Sequence, residues 1–231
     1  AALAAGCTMV VKPAQQTSLS MIYFAKLLEQ ADLPKGVLNI VVGKGSAVGD
    51  HISAHPEFDK VSFTGSTDIG RRVGEIAGRN LKPATLELGG KSPMIVFEDA
   101  NFDDVAEACR WSIFFNAGQI CSGGSRMYVQ RSVFGQVVDT VKKKTEDMKM
   151  APGLDPDCDI GPVISSGAKL SIESYIQKGL DEGGKLICGG LGGVPDHGYF
   201  VRPTIITTDD NKATIVQEEI FGPVLVMVPF E

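Results

Sequence analysis

From Thr8 onward, short runs of apolar and β-branched residues alternate with longer stretches in which apolar residues recur every three or four positions. That alternation predicts parallel βαβ units. Thr8 to Val11 reads as a buried strand. Thr17 to Gln30 reads as a helix, with Leu19, Ile22, Tyr23, Lys26 and Leu27 at helical spacing and Thr17 or Ser18 available as its cap. Val37 to Val42 is the next strand, and Gly43-Lys44-Gly45-Ser46-Ala47-Val48-Gly49 is a glycine-rich bend opening a short helix. Lys60 to Phe63 is a third strand, running into a turn where Ser66 or Thr67 would cap the following helix. Ala84 to Leu88 is a fourth.

Gly89-Gly90 is the candidate boundary, giving domains over residues 1–89 and 90–231. Beyond it the same grammar predicts strands at Met94 to Phe97 and Arg126 to Gln130, and helices at Asp103 to Phe115 and Val133 to Met148. A loop rich in Pro, Gly and Asp follows over 151–162. A helix near Lys169 to Gly179 and strands at Lys185 to Cys188, Thr204 to Ile206 and Val224 to Pro229 complete the chain. Gly189-Gly190-Leu191-Gly192-Gly193 is expected to be a flexible surface loop. Trp111, Phe114 and Phe115, at helical spacing, are expected in the core, with a tunnel wall as the other reading.

Composition excludes several classes. A formal net charge of −6 over 231 residues gives no reason to expect nucleic acid or an anionic membrane as partner. The one basic run, Lys142-Lys143-Lys144, lies on an amphipathic helix beside Glu146 and Asp147 and reads as a solvated face. No apolar run approaches the roughly 20 residues that span a bilayer. Ala1 to Gly6 lacks the basic start of a signal peptide and reads as the tail of a helix, so the chain is expected to begin mid-domain. Five scattered cysteines, without CxxC or Cys/His spacing, argue for free thiols in a reducing, cytoplasmic setting and against a metal site.

Chemistry concentrates at two places. Cys121 follows an apolar run and is itself followed by Ser122, Gly123, Gly124 and Ser125. A structural cysteine normally sits among apolar neighbours on a regular element. Small polar neighbours instead leave room for a substrate, and N–H groups in such a turn can support a thiolate and an oxyanion. Cys109, beside Ala106, Ala108 and Trp111, reads as packing. Glu87 is one carboxyl in the apolar stretch Leu86-Glu87-Leu88. It is either a solvent-facing edge residue or, if buried, an acid–base group working near neutrality. Thiol and carboxyl together would serve covalent acyl chemistry on an aldehyde. The glycine segments are weaker signals. The third glycine of Gly43 to Gly49 falls one residue late for the dinucleotide fingerprint, whereas Phe63-Thr64-Gly65-Ser66, at a strand-to-helix junction, can still set N–H groups against a diphosphate.

Five segments, in this order and spacing, resemble the aldehyde dehydrogenase superfamily: Val11-Lys12-Pro13-Ala14, Phe63 to Gly70, Leu86 to Pro93, Asn116 to Cys121, and Glu218 to Val224. The general subfamily, with its betaine- and aromatic-aldehyde enzymes, is most similar. The resemblance implies an α/β protein with a parallel-sheet dinucleotide-binding domain, a Rossmann-like variant, followed by a second α/β catalytic domain, both incomplete. It implies oxidation of a small-molecule aldehyde to a carboxylic acid with NAD or NADP, in a homodimer or homotetramer. Cys121 matches the nucleophile and Glu87 the base that activates the hydrolytic water. Lys12 matches the lysine on the adenosine ribose. Thr64, Gly65 and Ser66 match the diphosphate turn, with Gly45 and Gly49 in the adjoining segment and Leu88 in the motif that carries Glu87. Glu219 matches the carboxylate that holds the nicotinamide ribose, with Phe221 nearby.

Three departures carry expectations of their own. Gln15 stands where the family often has a glutamate, and a neutral amide would not repel a 2′-phosphate, so NADP is expected to be tolerated. The family's Pro-Trp-Asn segment, whose asparagine donates to the oxyanion, is not found before Lys12, and the chain stops before the family's terminal β-arm. An internal piece of a longer enzyme is expected, inactive or poorly folded in isolation. A CoA-acylating enzyme and a non-catalytic structural relative are the alternatives; Glu87 weighs against the first, and the presence of both Cys121 and Glu87 against the second.

Overall fold

The expected α/β class is borne out by strand pairs that run parallel, with helices between them, in a computed structural model that describes residues 1–231. The backbone divides into two units, Ala1–Leu88 and Gly89–Glu231.

In the first unit β1 (Met9–Val11) pairs in parallel with β2 (Leu38–Ile40), joined by helix α1 (Ser18–Gln30). Helix α2 (Gly45–Ala54) leads to β3 (Val61–Gly65), which pairs in parallel with β4 (Ala84–Leu88) through helix α3 (Thr67–Arg79). The apolar spacing that makes α1 a helix does not bury it: no α1 residue is fully buried, and Leu19 and Tyr23 are exposed. Helix α3 does bury one stripe, Gly70, Val73 and Ala77, at the i, i+3, i+7 spacing of an amphipathic helix.

The second unit is organised around a five-stranded sheet in the order β5 (Pro93–Val96), β6 (Arg126–Gln130), β9 (Val224–Phe230), β8 (Thr204–Thr207), β7 (Lys185–Cys188). All neighbours are parallel except β7, an antiparallel edge. Central β9 reads as a continuous apolar run because both of its faces are covered. Leu225 and Met227 point into one core with Met127 of β6, Cys109 of α4 (Phe102–Cys109), Val137 of α5 (Phe134–Glu146) and Phe114 from the turn after α4. Val224, Val226 and Val228 alternate to the other side. There they pack with Ile172, Ile176 and Ile215 of α6 (Ser166–Asp181) and α7 (Thr214–Gln217).

Several local expectations are corrected. The helix expected through Phe115 is α-helical only to Cys109, and a π-turn (Arg110–Phe114) follows. Phe114 is buried, but Trp111 and Phe115, four residues apart on one face, are exposed and pack on each other at 5.8 Å between ring centroids. Thr17 and Ser66 occupy N-cap positions, yet neither side chain makes a capping bond. The glycine loop is partly packed: Gly190 is buried and its N–H donates to Thr204 Oγ1 at 3.0 Å. The lysine run is solvated as expected, with Lys144 Nζ 3.0 Å from Glu107. No helix is long and apolar enough to cross a membrane.

Candidate active site

Within the first unit, the flagged residues gather at the carboxyl ends of parallel strands, where open α/β sheets bind ligands. Lys12 follows β1 directly, half-buried, its ammonium donating to Pro13 O at 2.8 Å. Gln15 lies exposed in the short 3₁₀ turn before α1. Gly45 opens α2, and Gly49 lies one turn on. The register of β3 and β4 sets Thr64 opposite Glu87 and Gly65 opposite Leu88. Ser66 then starts α3, whose first N–H groups lack a side-chain cap and are open to an anion. Glu87 is exposed, so the burial that one reading of it required is not found.

Within the second unit, the backbone approaching Cys121 is strained. Asn116, Ala117 and Gly118 all have positive φ, at 52°, 53° and 71°. Left-handed conformations cost non-glycine residues roughly 1–2 kcal/mol each and persist only where surroundings impose them. Here the imposing contacts are named ones. The Asn116 amide donates to Gln119 O at 3.0 Å, Gln119 Nε2 donates to Asn116 O at 3.1 Å, and Ile164 N donates to Gln119 Oε1 at 2.9 Å. At Gly118 a methyl group would lie 2.6 Å from Pro223 N, so only glycine lets this loop meet the Gly222-Pro223 backbone. Phe221, in that facing loop, is a further left-handed residue at φ 54°.

Cys121 is exposed at the end of this segment. The turn after it is closed by Gly123 N donating to Ile120 O (3.1 Å), Gly124 N to Ser112 Oγ (2.9 Å) and Ser125 N to Gly123 O (2.8 Å). Those amides are committed to the turn, whereas the N–H groups of Cys121 and Ser122 take no part in that bonding. The contrast with two other thiols is sharp. Cys109 and Cys188 are buried, and burial pushes their pKa values up to about 12 and about 11. Neither is suited to be a thiolate.

The adjacent carboxyls Glu218 and Glu219 are told apart by their partners. Glu218 accepts from Tyr175 Oη at 2.9 Å, and Tyr175 is shifted upward by burial and then by that carboxylate. Glu219 lies over Gly89, where a methyl group would come within 2.5 Å of its Cδ, and its buried Oε1 has no hydrogen-bond partner. It lines a narrow cavity with Gly90, Gly118, Gly123, Ser125 and Phe221, of about 10 Å³, room for a single water. Gly90 packs beside Cys121 O, which a methyl group on Gly90 would touch at 3.4 Å. Cys121, Glu219 and Phe221 are therefore carried by loops that meet in this unit.

The aldehyde dehydrogenase family model matches residues 1–231, end to end. The chain belongs to the aldehyde dehydrogenase family. It is 45% identical over 231 residues to aldehyde dehydrogenase family 2 member C4 of Arabidopsis thaliana, covering 100% of this chain and 46% of that protein. It is 46% identical to aldehyde dehydrogenase [NAD(P)+] 2 of Saccharomyces cerevisiae, covering 99% of this chain and 47% of that one. Betaine aldehyde dehydrogenase of Staphylococcus aureus, solved in complex with NAD+, superimposes with a TM-score of 0.95 at 41% identity, covering 100% of this chain and 46% of that one. The chain thus spans about half the length of the relatives it matches.

Sequence reasoning missed residues that brace the aldehyde dehydrogenase loops. Gln119 and Ser112 pin the cysteine turn from either end. Arg126, first residue of β6, donates from Nε to Lys91 O at 2.6 Å. Lys91 itself has a buried ammonium with no partner. Its place directly after Gly89-Gly90, in a motif already singled out for Glu87, was the available signal.

Proposed function

We propose that this chain supplies the nucleophile, the hydrolytic base and much of the dinucleotide site of an enzyme that oxidises a small aldehyde to a carboxylic acid with NAD or NADP. The observation that carries the reading is the exposed Cys121 at the end of a strained, glycine-lined loop, in a family of aldehyde dehydrogenases.

The chemistry follows from the side chains. The Cys121 thiolate attacks the carbonyl carbon, forming a C–S bond and an oxyanion that the uncommitted Cys121 N–H is free to receive. Loss of hydride from that carbon leaves a thioester. Water, deprotonated by Glu87, adds to the thioester. The C–S bond then breaks, releasing the acid and the thiolate. A nicotinamide dinucleotide, when bound, supplies the hydride acceptor.

The residues fit that group on one test. The buried, unpartnered Glu219 Oε1 is an acceptor in need of a donor, and a ribose hydroxyl is one. In the same reading Lys12 and Gln15 face the adenosine ribose. Thr64, Gly65 and Ser66 take the diphosphate on the α3 N-terminus, with Gly45, Gly49 and Leu88 shaping the adjoining backbone. Phe221 lines the Glu219 cavity.

The test uses the intact protein that carries this chain. Cys121→Ser should lower aldehyde oxidation by roughly 10³-fold or more, as loss of a covalent nucleophile does. Glu87→Gln should let an acyl adduct on the Cys121 peptide accumulate, visible by mass spectrometry. Turnover surviving in Cys121→Ser would overturn the reading, and product appearing only with added CoA would move the protein to the acylating class.

A further inference from the structure

Glu218 and Glu219 stand side by side after α7, in a loop that also carries Phe221. Glu218 is extended, at φ −101° and ψ 145°. In extended backbone neighbouring side chains leave on opposite sides, so fixing one carboxyl fixes the other. Tyr175 of α6 fixes the first. Its hydroxyl donates to Glu218 Oε2 at 2.9 Å, the one side-chain hydrogen bond made by residues 218–223. Glu219 is thereby turned the other way, over Gly89 and into the cavity that Gly118 and Phe221 also line. One turn back on the same face of α6, Ile172 meets the far end of the loop. A methyl group on Gly222 would lie 2.6 Å from the Ile172 Cγ1. Helix α6 thus holds the loop at both ends, and the left-handed Phe221 lies between the two holds. The Ile172 contact has no direction. The Tyr175 bond does, and it alone tells apart two adjacent carboxyls of identical chemistry.

We infer that Tyr175 is a positioning residue for dinucleotide binding: by holding Glu218 against α6, it sets Glu219 as the carboxylate that faces the ribose. The inference rests on the proposed role of Glu219, and the experiment separates the two. Dissociation constants for NAD+ are measured by calorimetry on the intact protein, with no aldehyde present. The variants are Tyr175→Phe, Glu218→Leu, Glu218→Gln and Glu219→Gln. Tyr175→Phe keeps the ring that packs on the core and removes only the donor. It should weaken NAD+ binding roughly three- to tenfold, the scale of one hydrogen bond at a partly exposed site. Glu218→Leu should do the same, and the two changes together should be no worse than either alone. Glu218→Gln keeps an oxygen for the hydroxyl and should bind as wild type does. That rescue would mark the hydrogen bond, and not the charge of Glu218, as the cause.

Wild-type affinity in Tyr175→Phe, even with a lower unfolding temperature, would make the tyrosine a packing residue and overturn the inference. So would Glu218→Gln as weak as Glu218→Leu, or losses that multiply in the Tyr175→Phe/Glu218→Leu pair. Added to Glu219→Gln, Tyr175→Phe should cost nothing more; a further loss would show that it acts elsewhere. If Glu219→Gln binds NAD+ as wild type does, the reading of Glu219 falls first and takes this one with it. If Glu219→Gln is weak and Tyr175→Phe is not, only the role of Tyr175 falls. Should Tyr175→Phe fail to fold, Glu218→Leu against Glu218→Gln makes the same test at an exposed position.

Discussion

The two units share one grammar of strand, turn and helix, yet they bury very different amounts of themselves. In the first, Val61, Val73 and Ala77 are the fully buried hydrophobic residues, and Leu19, Tyr23 and Phe24 of α1 stand exposed. In the second, β9 alone buries five residues in a row, Val224 to Val228. Two-stranded sheets are marginal by themselves, whereas a five-stranded sheet covered on both faces is self-sufficient. The difference also tracks the roles proposed for the two units. Glycine turns at strand ends offer N–H groups to a ligand and need little strain. The Cys121 loop holds left-handed residues that only a dense core beneath it can enforce.

The sharpest way to break this comparison is to place the same methyl group in each unit. Gly118→Ala adds a Cβ 2.6 Å from Pro223 N, at φ 71°, in a loop that cannot retreat. Clash and backbone strain together should cost about 4 kcal/mol or more, read by denaturant unfolding. Gly6→Ala also meets a positive φ, 79°, but nothing lies within 4 Å. It should cost only the roughly 1–2 kcal/mol of the left-handed conformation. Equal costs would show that the loop around Gly118 yields, and that the second unit does not hold Cys121 rigidly.

A second, smaller effect reads burial through pH. Cys109 and Cys188 both lie in the second unit, with pKa values raised to about 12 and about 11 from an ordinary 9.0. For an acid whose folded pKa is raised, the contribution to stability is intact below the unfolded value. It is lost as pH climbs from there toward the folded one, because the unfolded chain gives up its proton first. Unfolding free energy should therefore drop above pH 9 by about 1.4 kcal/mol per pH unit for each thiol. Measuring wild type against Cys109→Ala and Cys188→Ala between pH 9 and 10.5 isolates the thiols from tyrosine and lysine titration. The variants should show the shallower slope; parallel slopes would mean that these thiols are not desolvated.

The regular skeleton was legible in the chain because it follows from periodicity. Ala84–Leu88, Arg126–Gln130 and Lys185–Cys188 are strands with the bounds that the apolar runs predict. What escaped is set by contacts distant in sequence. The π-turn at Arg110–Phe114 continues the apolar spacing of α4 without a proline or glycine to announce it. Ala117 is left-handed because Gln119, Ile164 and the Gly222 loop constrain its neighbours, and alanine gives no local sign of that. Thr17 and Ser66 have the right chemistry for caps, in the right place, and still make no capping bond. Of the site, Cys121 stood out by its polar, glycine-rich company. The resemblance had already singled out Glu219, and what the fold adds is that its neighbour Glu218 is held by the Tyr175 hydroxyl. The exposure of Glu87 could not be read, since alternation in a short strand leaves both faces open.

The smallest expected effect tests whether the first unit reads a ligand without carrying stability. Gln15 is exposed in a 3₁₀ turn and its side chain makes no hydrogen bond, so replacing it should leave the unfolding midpoint unchanged within error. Gln15→Glu nonetheless puts a negative charge where the adenosine ribose is proposed to lie, and a 2′-phosphate there would meet it. In the intact protein, kcat/KM for NADP should fall about tenfold, a modest like-charge cost in a solvent-screened site, while kcat/KM for NAD stays level or rises slightly. The penalty should shrink as salt is raised, since screening acts on exposed charges first. Equal loss with both dinucleotides would place the ribose elsewhere. A drop in stability instead would mean that the turn before α1 supports the fold, and the contrast between a reading unit and a bearing unit would need redrawing.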